Sequence, residues 1–192
     1  MGVNRIPVYI LAGGRSARFG SDKARAVFGG RPLIQHVAHM LGSVASSITV
    51  VADRWGKYTD LGLRTISDIN PGCGPLAGLQ TALQDLPKGW FRLLLCPCDA
   101  VEIRPAWLGR LLAVVNTDCD AVAFRADYWQ PMPALYVRSS LPTIAEQLQT
   151  DDRSMQRLLD RLRAIALPLP EDWPEDWQVN TPDDLGWRRN RP

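Results

Sequence analysis

The sequence predicts an α/β fold, a three-layer α/β/α domain of Rossmann-like type with a mostly parallel central sheet. Two observations lead to this prediction. Short apolar runs alternate along the 192 residues with segments of helical periodicity. The run at 90–96 is apolar apart from Arg92, as expected for a strand that is covered on both faces. Because no internal repeat or linker interrupts the alternation, residues 1–192 are predicted to form a single domain.

The predicted elements follow one another in a regular order. Strands are predicted from apolar runs, and helices from apolar residues at three- and four-residue spacing. Pro32 marks the start of the first helix, because its fixed φ suits the first helical turn. The predicted strands are 6–11, 48–52, 63–66, 90–96, 120–124, 132–137 and 164–167. The later predicted helices are 76–86, 105–115, 139–149 and 154–163.

Composition limits the class of protein. Hydrophobic residues make up 46% of the chain and charged residues 22%, which is typical of a globular protein rather than a disordered one. The net charge of +2 argues against non-specific nucleic-acid binding. No run approaches the about 20 apolar residues of a membrane span, and no signal-peptide pattern is present, so we expect a cytoplasmic protein without a membrane partner. The four cysteines lack disulfide-framework spacing and are expected to be reduced.

A loop rich in glycine and basic residues follows the first predicted strand. Residues 11–23 are LAGGRSARFGSDK. Glycines let backbone N–H groups approach phosphate oxygens, and Arg15, Arg18 and Lys23 add positive charge. The loop has neither the Gly-Lys-Ser/Thr of a P-loop nor the G-x-G-x-x-G of dinucleotide-binding folds. We therefore expect it to bind a nucleoside triphosphate, with Arg18 and Lys23 stabilising charge in the transition state.

Carboxylates follow several predicted strands. Asp99 comes after the 90–96 run, and Asp53 and Asp68 come after the second and third strands. Ligands of open parallel sheets lie outside the carboxyl ends of the strands, so the first loop and Asp99 are expected to share one crevice. Because Mg²⁺ prefers oxygen ligands and is often bound by one or two carboxylates plus phosphates, Asp99 is a candidate metal ligand. Its spacing alone fits a helix cap or turn residue equally well.

Four segments, in order, resemble the molybdenum cofactor guanylyltransferase family of small nucleotidyltransferases. They are LAGGRSARFGSDKA at 11–24, GPLAGL at 74–79, CPCD at 96–99 and NTPDDL at 180–185. Together they span nearly the whole chain. The resemblance implies a Rossmann-like nucleotidyltransferase domain that transfers GMP from GTP to the terminal phosphate of molybdopterin. The implied products are molybdopterin guanine dinucleotide and pyrophosphate, and the implied cofactor is Mg²⁺.

The resemblance also implies roles for single residues. Asp99, within CPCD, matches the metal-binding aspartate of the family, and Asn180 is expected to hold the acceptor. Asp53 is a candidate hydrogen-bond acceptor for the edge of a guanine base. The expected nucleotide-binding residues are Leu11, Ala12, Gly13, Gly14, Lys23, Asp53, Asp68 and Asp99, and the expected catalytic residues are Arg18, Lys23 and Asp99.

The chain departs from the family pattern in four places. Ala100-Val101 stands where the family often has Thr-Pro, and Gln130-Pro131-Met132 where it often has His-Pro-Thr. Gln178 and Val51 replace an asparagine and a polar residue. These departures leave open a cytidylyltransferase that acts on molybdopterin or another phosphorylated metabolite, and a non-catalytic nucleotide- or cofactor-binding relative. The expected partners are GTP and molybdopterin, with transient contact to molybdoenzymes or cofactor-delivery proteins.

Overall fold

A seven-stranded sheet lies at the centre of the computed structural model, which describes residues 5–13, 22–114, 118–174, 178–179, 181 and 184. The strands are β1 (Ile6–Leu11), β2 (Val27–Phe28), β3 (Arg31–Pro32), β4 (Ala45–Ala52), β5 (Arg64–Ser67), β6 (Arg92–Pro97), β7 (Ala121–Arg125), β8 (Trp129–Val137) and β9 (Ala164–Pro168). The helices are α1 (Leu33–Leu41), α2 (Pro75–Asp85), α3 (Pro105–Leu112), α4 (Leu141–Leu148) and α5 (Met155–Arg161).

The strands of the central sheet follow the order β5-β4-β1-β6-β8-β7-β9. All pairs are parallel except those of β8, which runs antiparallel to β6 and to β7. The prediction of an α/β fold with a mostly parallel sheet is therefore confirmed. Strands β2 and β3 form a separate antiparallel pair between the first loop and α1.

Helices cover both faces of the sheet. Alternate residues of β1 point to opposite faces, so Val8 and Ile10 join one apolar core while Tyr9 and Leu11 join the other. Residues of α1 and α3 belong to the first core, and residues of α2, α4 and α5 to the second. The result is three layers. None of the helices in the described ranges is both long and apolar enough to cross a membrane.

Two strands begin earlier than their apolar runs predict. Strand β4 starts at Ala45 rather than 48, and its exposed residues Ser46 and Ser47 give no apolar signal. The backbone still pairs there with β1, with Ser47 opposite Pro7. Strand β8 starts at Trp129 rather than 132. Backbone pairing therefore continues beyond the residues that supply the hydrophobic pattern.

A polar network joins three strands to the end of α2. The buried hydroxyl of Tyr9 donates to Asp85 Oδ2 at 2.7 Å. Arg64 donates to both oxygens of Asp85, at 2.7 and 2.8 Å, and to Thr49 Oγ1 at 2.9 Å. Burial opposes ionisation of Asp85, but the hydrogen bonds from Arg64 and Tyr9 outweigh it and lower the pKa of Asp85. Burial and the neighbouring carboxylate raise the pKa of Tyr9, so its hydroxyl keeps the proton that it donates.

We expect Asp85→Ala to lower the free energy of unfolding by about 1–3 kcal/mol at pH 7, because the buried Tyr9 hydroxyl loses its acceptor. The pKa of Asp85 is lower in the folded chain than in the unfolded chain. Its ionic contribution is therefore present above about pH 4 and is lost as the pH falls through the folded pKa. Denaturant unfolding at neutral and acidic pH measures both effects. A gap between variant and wild type that widens on acidification would contradict the assignment.

Candidate functional site

The carboxyl ends of β5, β4, β1 and β6 lie at one edge of the sheet, because these neighbouring strands are parallel. The segments that leave the strands at this edge carry most of the described site residues that the sequence predicts. Ala12 and Gly13 follow β1, Asp53 follows β4, Asp68 follows β5 and Asp99 follows β6. The fold therefore brings together segments that are far apart in the chain.

Lys23 and Asp99 form an ion pair at this edge. Lys23 Nζ lies 2.5 Å from Asp99 Oδ2, and the two side chains are only 15% and 16% exposed. Lys23 opens a 3₁₀ turn (Lys23–Arg25), and Asp99 stands two residues after β6. Electrostatic attraction is stronger where water is largely excluded, so this pair fixes the turn against the end of β6.

Within the part of the chain that the structure describes, the other carboxylate oxygen of Asp99 has no hydrogen-bond partner. Among the buried side-chain polar atoms of the described ranges, only Asp99 Oδ1 and Arg138 Nε lack a hydrogen-bond partner. A buried oxygen without a partner is costly, and a hard divalent cation is a suitable partner for it. Asp99 therefore fits the role of a metal ligand. Burial, reinforced by Asp99, raises the pKa of Cys98 to about 12, so the adjacent thiol adds no negative charge.

Asp53 stays charged at the end of β4. Its side chain is 60% exposed, and Lys57 Nζ lies 2.8 Å from its Oδ1. The hydrogen bond from Lys57 lowers the pKa of Asp53. The carboxylate is therefore an accessible acceptor for hydrogen bonds.

Asp68 is held by helix α2. Asp68 Oδ1 accepts hydrogen bonds from Thr81 Oγ1 at 2.9 Å and from the backbone N–H of Asn70 at 3.0 Å. Thr81 Oγ1 accepts from the backbone N–H of Ile69 at 3.1 Å, and the Thr81 residue is buried. One hydroxyl of the helix thus orients both the carboxylate and the backbone beside it.

The GPLAGL segment seats α2 against the end of β1. Gly74 precedes the helix with φ +75°, a conformation that glycine adopts without strain. A Cβ atom at Gly78 would lie 2.9 Å from Leu11 Cδ2. Glycine at this position therefore lets the helix approach the residue that opens the first loop. Beyond Leu11, a Cβ at Gly13 would meet no atom of the described residues within 4 Å, so these residues leave open space there.

The residues after Asp99 are buried against the C-terminal segment. Ala100 forms an isolated antiparallel bridge with Gln178, and the N–H of Val179 donates to the carbonyl of Asp99 at 3.0 Å. Val101 packs with Val179 in a small apolar cluster. Two of the departures from the family pattern, Ala100-Val101 and Gln178, therefore contact each other beside Asp99.

The other two departures lie in different surroundings. Val51 is buried in the core beneath α2, so an apolar side chain packs where the family pattern has a polar one near the end of β4. Gln130-Pro131-Met132 belongs to the start of β8. Because β8 is antiparallel to β6 and pairs Ala134 with Leu95, its first residues extend toward the edge that holds Asp99.

Three of the predicted site residues, Gly14, Arg18 and Asn180, lie outside the described residues, as does Arg15. Sequence reasoning also missed Asp22 and the residues that contact it. Asp22 caps the turn by accepting from the N–H of Ala24 at 3.1 Å, which is a recognisable N-cap signal. Tyr58 and Lys57, which contact Asp22 from the segment after β4, give no local signal because the contact is long-range.

Comparisons with known proteins agree with this architecture. A family model described as MobA-like NTP transferase domain matches residues 8–165. A protein from Nostoc sp. named probable molybdenum cofactor guanylyltransferase is 32% identical over 95% of this chain and 90% of its own length. A protein from Pseudomonas entomophila named molybdenum cofactor guanylyltransferase is 32% identical over 93% of this chain and 95% of its own length. The crystal structure of molybdopterin-guanine dinucleotide biosynthesis protein A from Archaeoglobus fulgidus has the same fold, with a TM-score of 0.79, 23% identity and coverage of 95% and 96%.

We expect Thr81→Val to lower the free energy of unfolding by about 0.5–1.5 kcal/mol, because Ile69 and Asp68 each lose a partly buried hydrogen bond to this hydroxyl. The amide of Ile69 should also exchange faster with solvent. Thr81→Ser keeps the hydroxyl and is the matched control, so its Ile69 amide should exchange at the wild-type rate. Denaturant unfolding and amide exchange measure the two effects. Wild-type exchange in Thr81→Val would show that this hydroxyl does not hold the loop.

Proposed function

Because the chain belongs to the MobA-like NTP transferase family, we propose that it transfers GMP from GTP to the terminal phosphate of molybdopterin. The proposed products are molybdopterin guanine dinucleotide and pyrophosphate. The observation that carries the proposal is the Lys23–Asp99 pair with its unpartnered carboxylate oxygen at the carboxyl edge of the sheet. Relatives that align over nine tenths of their length are named molybdenum cofactor guanylyltransferases, which supports GTP as the donor and molybdopterin as the acceptor.

Nucleotidyl transfer requires positive charge around the α-phosphate and the departing pyrophosphate. We assign this role to Lys23, which the described structure holds at Asp99, and to Arg18 of the same loop. No protein nucleophile is required, because a phosphate monoester with a second pKa of about 6 is largely ionised at neutral pH. An oxygen of the molybdopterin phosphate bonds to the α-phosphorus of GTP. The bond from that phosphorus to the bridging oxygen breaks, and the electron pair leaves with pyrophosphate.

Enzymes of this family generally use a divalent cation, and we propose that this chain binds Mg²⁺ at Asp99. Asp99 Oδ1 would coordinate the ion, because no described group donates a hydrogen bond to this oxygen. When bound, Mg²⁺ supplies positive charge that neutralises the triphosphate. Lys23 meanwhile contacts Oδ2 and fixes the orientation of the carboxylate.

We place the base and ribose of GTP at the ends of β4 and β5. Asp53 and Asp68 present carboxylates there, and guanine offers N–H donors on its pairing edge that a carboxylate can accept. The open space at Gly13 suits the close approach of a ligand to the backbone, so Leu11, Ala12, Gly13 and Gly14 remain the proposed nucleotide-contacting segment. The cation of Lys57 beside Asp53 keeps that acceptor ionised.

We propose that Asn180 holds the molybdopterin side of the reaction. The N–H of Val179, the residue before Asn180 in the sequence, donates to the carbonyl of Asp99, the proposed metal ligand, at 3.0 Å. We further propose that residues 1–192 act as one domain in the cytoplasm. Molybdoenzymes or cofactor-delivery proteins would then receive the product.

We expect Asp99→Ala to reduce pyrophosphate release by about 100-fold or more, because it removes the proposed metal ligand and the partner of Lys23. The assay contains Mg²⁺ and molybdopterin, with GTP or CTP in separate reactions. Glu146→Ala is the matched control. It removes an exposed carboxylate that pairs with Arg161 on the α4–α5 layer, and it should retain wild-type activity.

Each alternative function has its own outcome in this assay. Release with CTP rather than GTP would assign a cytidylyltransferase. Release from neither nucleotide, despite measurable nucleotide binding, would indicate a different acceptor or a non-catalytic relative. Full activity of Asp99→Ala with GTP would overturn the assignment of Asp99.

A further inference from the structure

Contacts from the segment after β4 hold the 3₁₀ turn that carries Lys23. We propose that Tyr58 is a positioning residue, which acts through Asp22 to keep Lys23 at the phosphate-binding edge of the sheet. The inference rests on the proposed function in one respect, namely that Lys23 contacts the triphosphate. The placement of Lys23 itself is a property of the folded chain and can be measured without any reaction.

The contact between Tyr58 and Asp22 is the centre of this arrangement. The Tyr58 hydroxyl lies 3.1 Å from each of the two carboxylate oxygens of Asp22, and the Tyr58 residue has no exposed surface. Burial, together with the charge of Asp22, strongly raises the pKa of Tyr58, so the hydroxyl remains protonated and donates to Asp22. Asp22 in turn caps the turn through the N–H of Ala24, directly after Lys23.

Two cations strengthen the same connection. Lys57 Nζ lies 3.3 Å from Asp22 Oδ2 and 2.8 Å from Asp53 Oδ1, so it joins the cap to the end of β4. Arg25, at the end of the turn, donates to the carbonyl of Lys57 at 2.7 Å and to both oxygens of Asp60 at 2.8 Å. Asp60 is largely exposed, so water weakens that pair. Tyr58 has no exposed surface, so its hydrogen bond to Asp22 is better sheltered from water than the Arg25–Asp60 pair.

The hydroxyl of Tyr58 is not needed for packing. The ring belongs to the apolar core on the α1 face of the sheet, which a phenylalanine ring would fill equally well. Each of the cations Arg25 and Lys57 lies 5.4 Å from the ring centroid, and phenylalanine would keep these contacts too. Tyr58→Phe therefore removes one interaction, the hydrogen bond to Asp22, and leaves the core intact.

Tyr9 offers a matched control on the opposite face of the sheet. Its hydroxyl also donates from a buried position to an aspartate, Asp85, at 2.7 Å. Asp85 is the last residue of α2, and its side chain bonds to Tyr9 and Arg64 rather than to the Lys23 turn. Tyr9→Phe thus removes an equivalent hydrogen bond without affecting the proposed anchor.

The first experiment measures the placement of Lys23 directly. An amine-acetylating reagent is added to nucleotide-free protein, and the modification rate of Lys23 is followed by peptide mass spectrometry. In the wild type, the ion pair and the low exposure of Lys23 should slow its reaction. We expect Tyr58→Phe to raise the rate at Lys23 several-fold, and Tyr9→Phe to leave it unchanged. An unchanged rate in Tyr58→Phe would overturn the proposal, whether or not the chain transfers GMP.

The second experiment measures kinetics in a double-mutant cycle. Tyr58→Phe should lower kcat/KM for GTP about tenfold and leave the KM for molybdopterin unchanged, since only the cation at the triphosphate is misplaced. In a Lys23→Ala background, Tyr58→Phe should have little further effect, because the residue it positions is absent. Effects that multiply in the double variant would overturn the proposal. Lack of activity in the wild type would instead count against the proposed function, and the acetylation result would still decide the role of Tyr58.

Asp22→Asn provides a second variant at the same contact. The amide keeps an oxygen that can cap the turn, but it loses the charge that binds Tyr58 and Lys57. We expect faster acetylation of Lys23 and a lower kcat/KM for GTP in this variant as well. Wild-type values for both quantities would show that the turn is held by other contacts.

Discussion

The parallel alignment of β5, β4, β1 and β6 is the constraint on which the candidate site depends. It makes four chain segments leave the sheet at one edge, so that residues distant in sequence become neighbours. Glycine at 78 allows α2 to close on the end of β1, and Thr81 on the same helix orients Asp68. The order and direction of the strands therefore determine which residues meet at the site. Contacts between these segments, such as Lys23–Asp99 and Tyr58–Asp22, then hold the individual side chains.

Charge at this edge is balanced in small units. Lys23 neutralises one oxygen of Asp99, while Lys57 is shared between Asp22 and the more exposed Asp53. The Lys23–Asp99 and Lys57–Asp22 pairs are largely sheltered from solvent and resist screening by salt better than exposed pairs do. The arrangement keeps cations and carboxylates close together before any anion arrives. At the proposed site, a triphosphate would meet groups that are already oriented, so binding would lose less conformational entropy in ordering them.

Much of this structure could be predicted from the sequence, and the exceptions have physical causes. Apolar runs located β1 and β6, and the glycine-rich loop and the CPCD segment supplied Lys23 and Asp99. A run of apolar residues does not encode strand direction, so the sequence predicted the strand at 132–137 but not that β8 runs antiparallel to its neighbours. The contact from Tyr58 to Asp22 spans 36 positions and depends on tertiary packing, which no local pattern reports. Sequence patterns therefore predict candidate ligand residues more readily than the residues that hold them in place.

The reversed direction of β8 places the beginning of one strand at an edge where the other strands of the central sheet end. Asp99 follows β6 and therefore stands next to this reversed strand. Gln130, near the start of β8, belongs to none of the loops that follow β1, β4 and β5, which are the proposed nucleotide loops. A change at Gln130 therefore leaves these loops in place, so the proposed acceptor could vary among relatives while the donor loops stay the same.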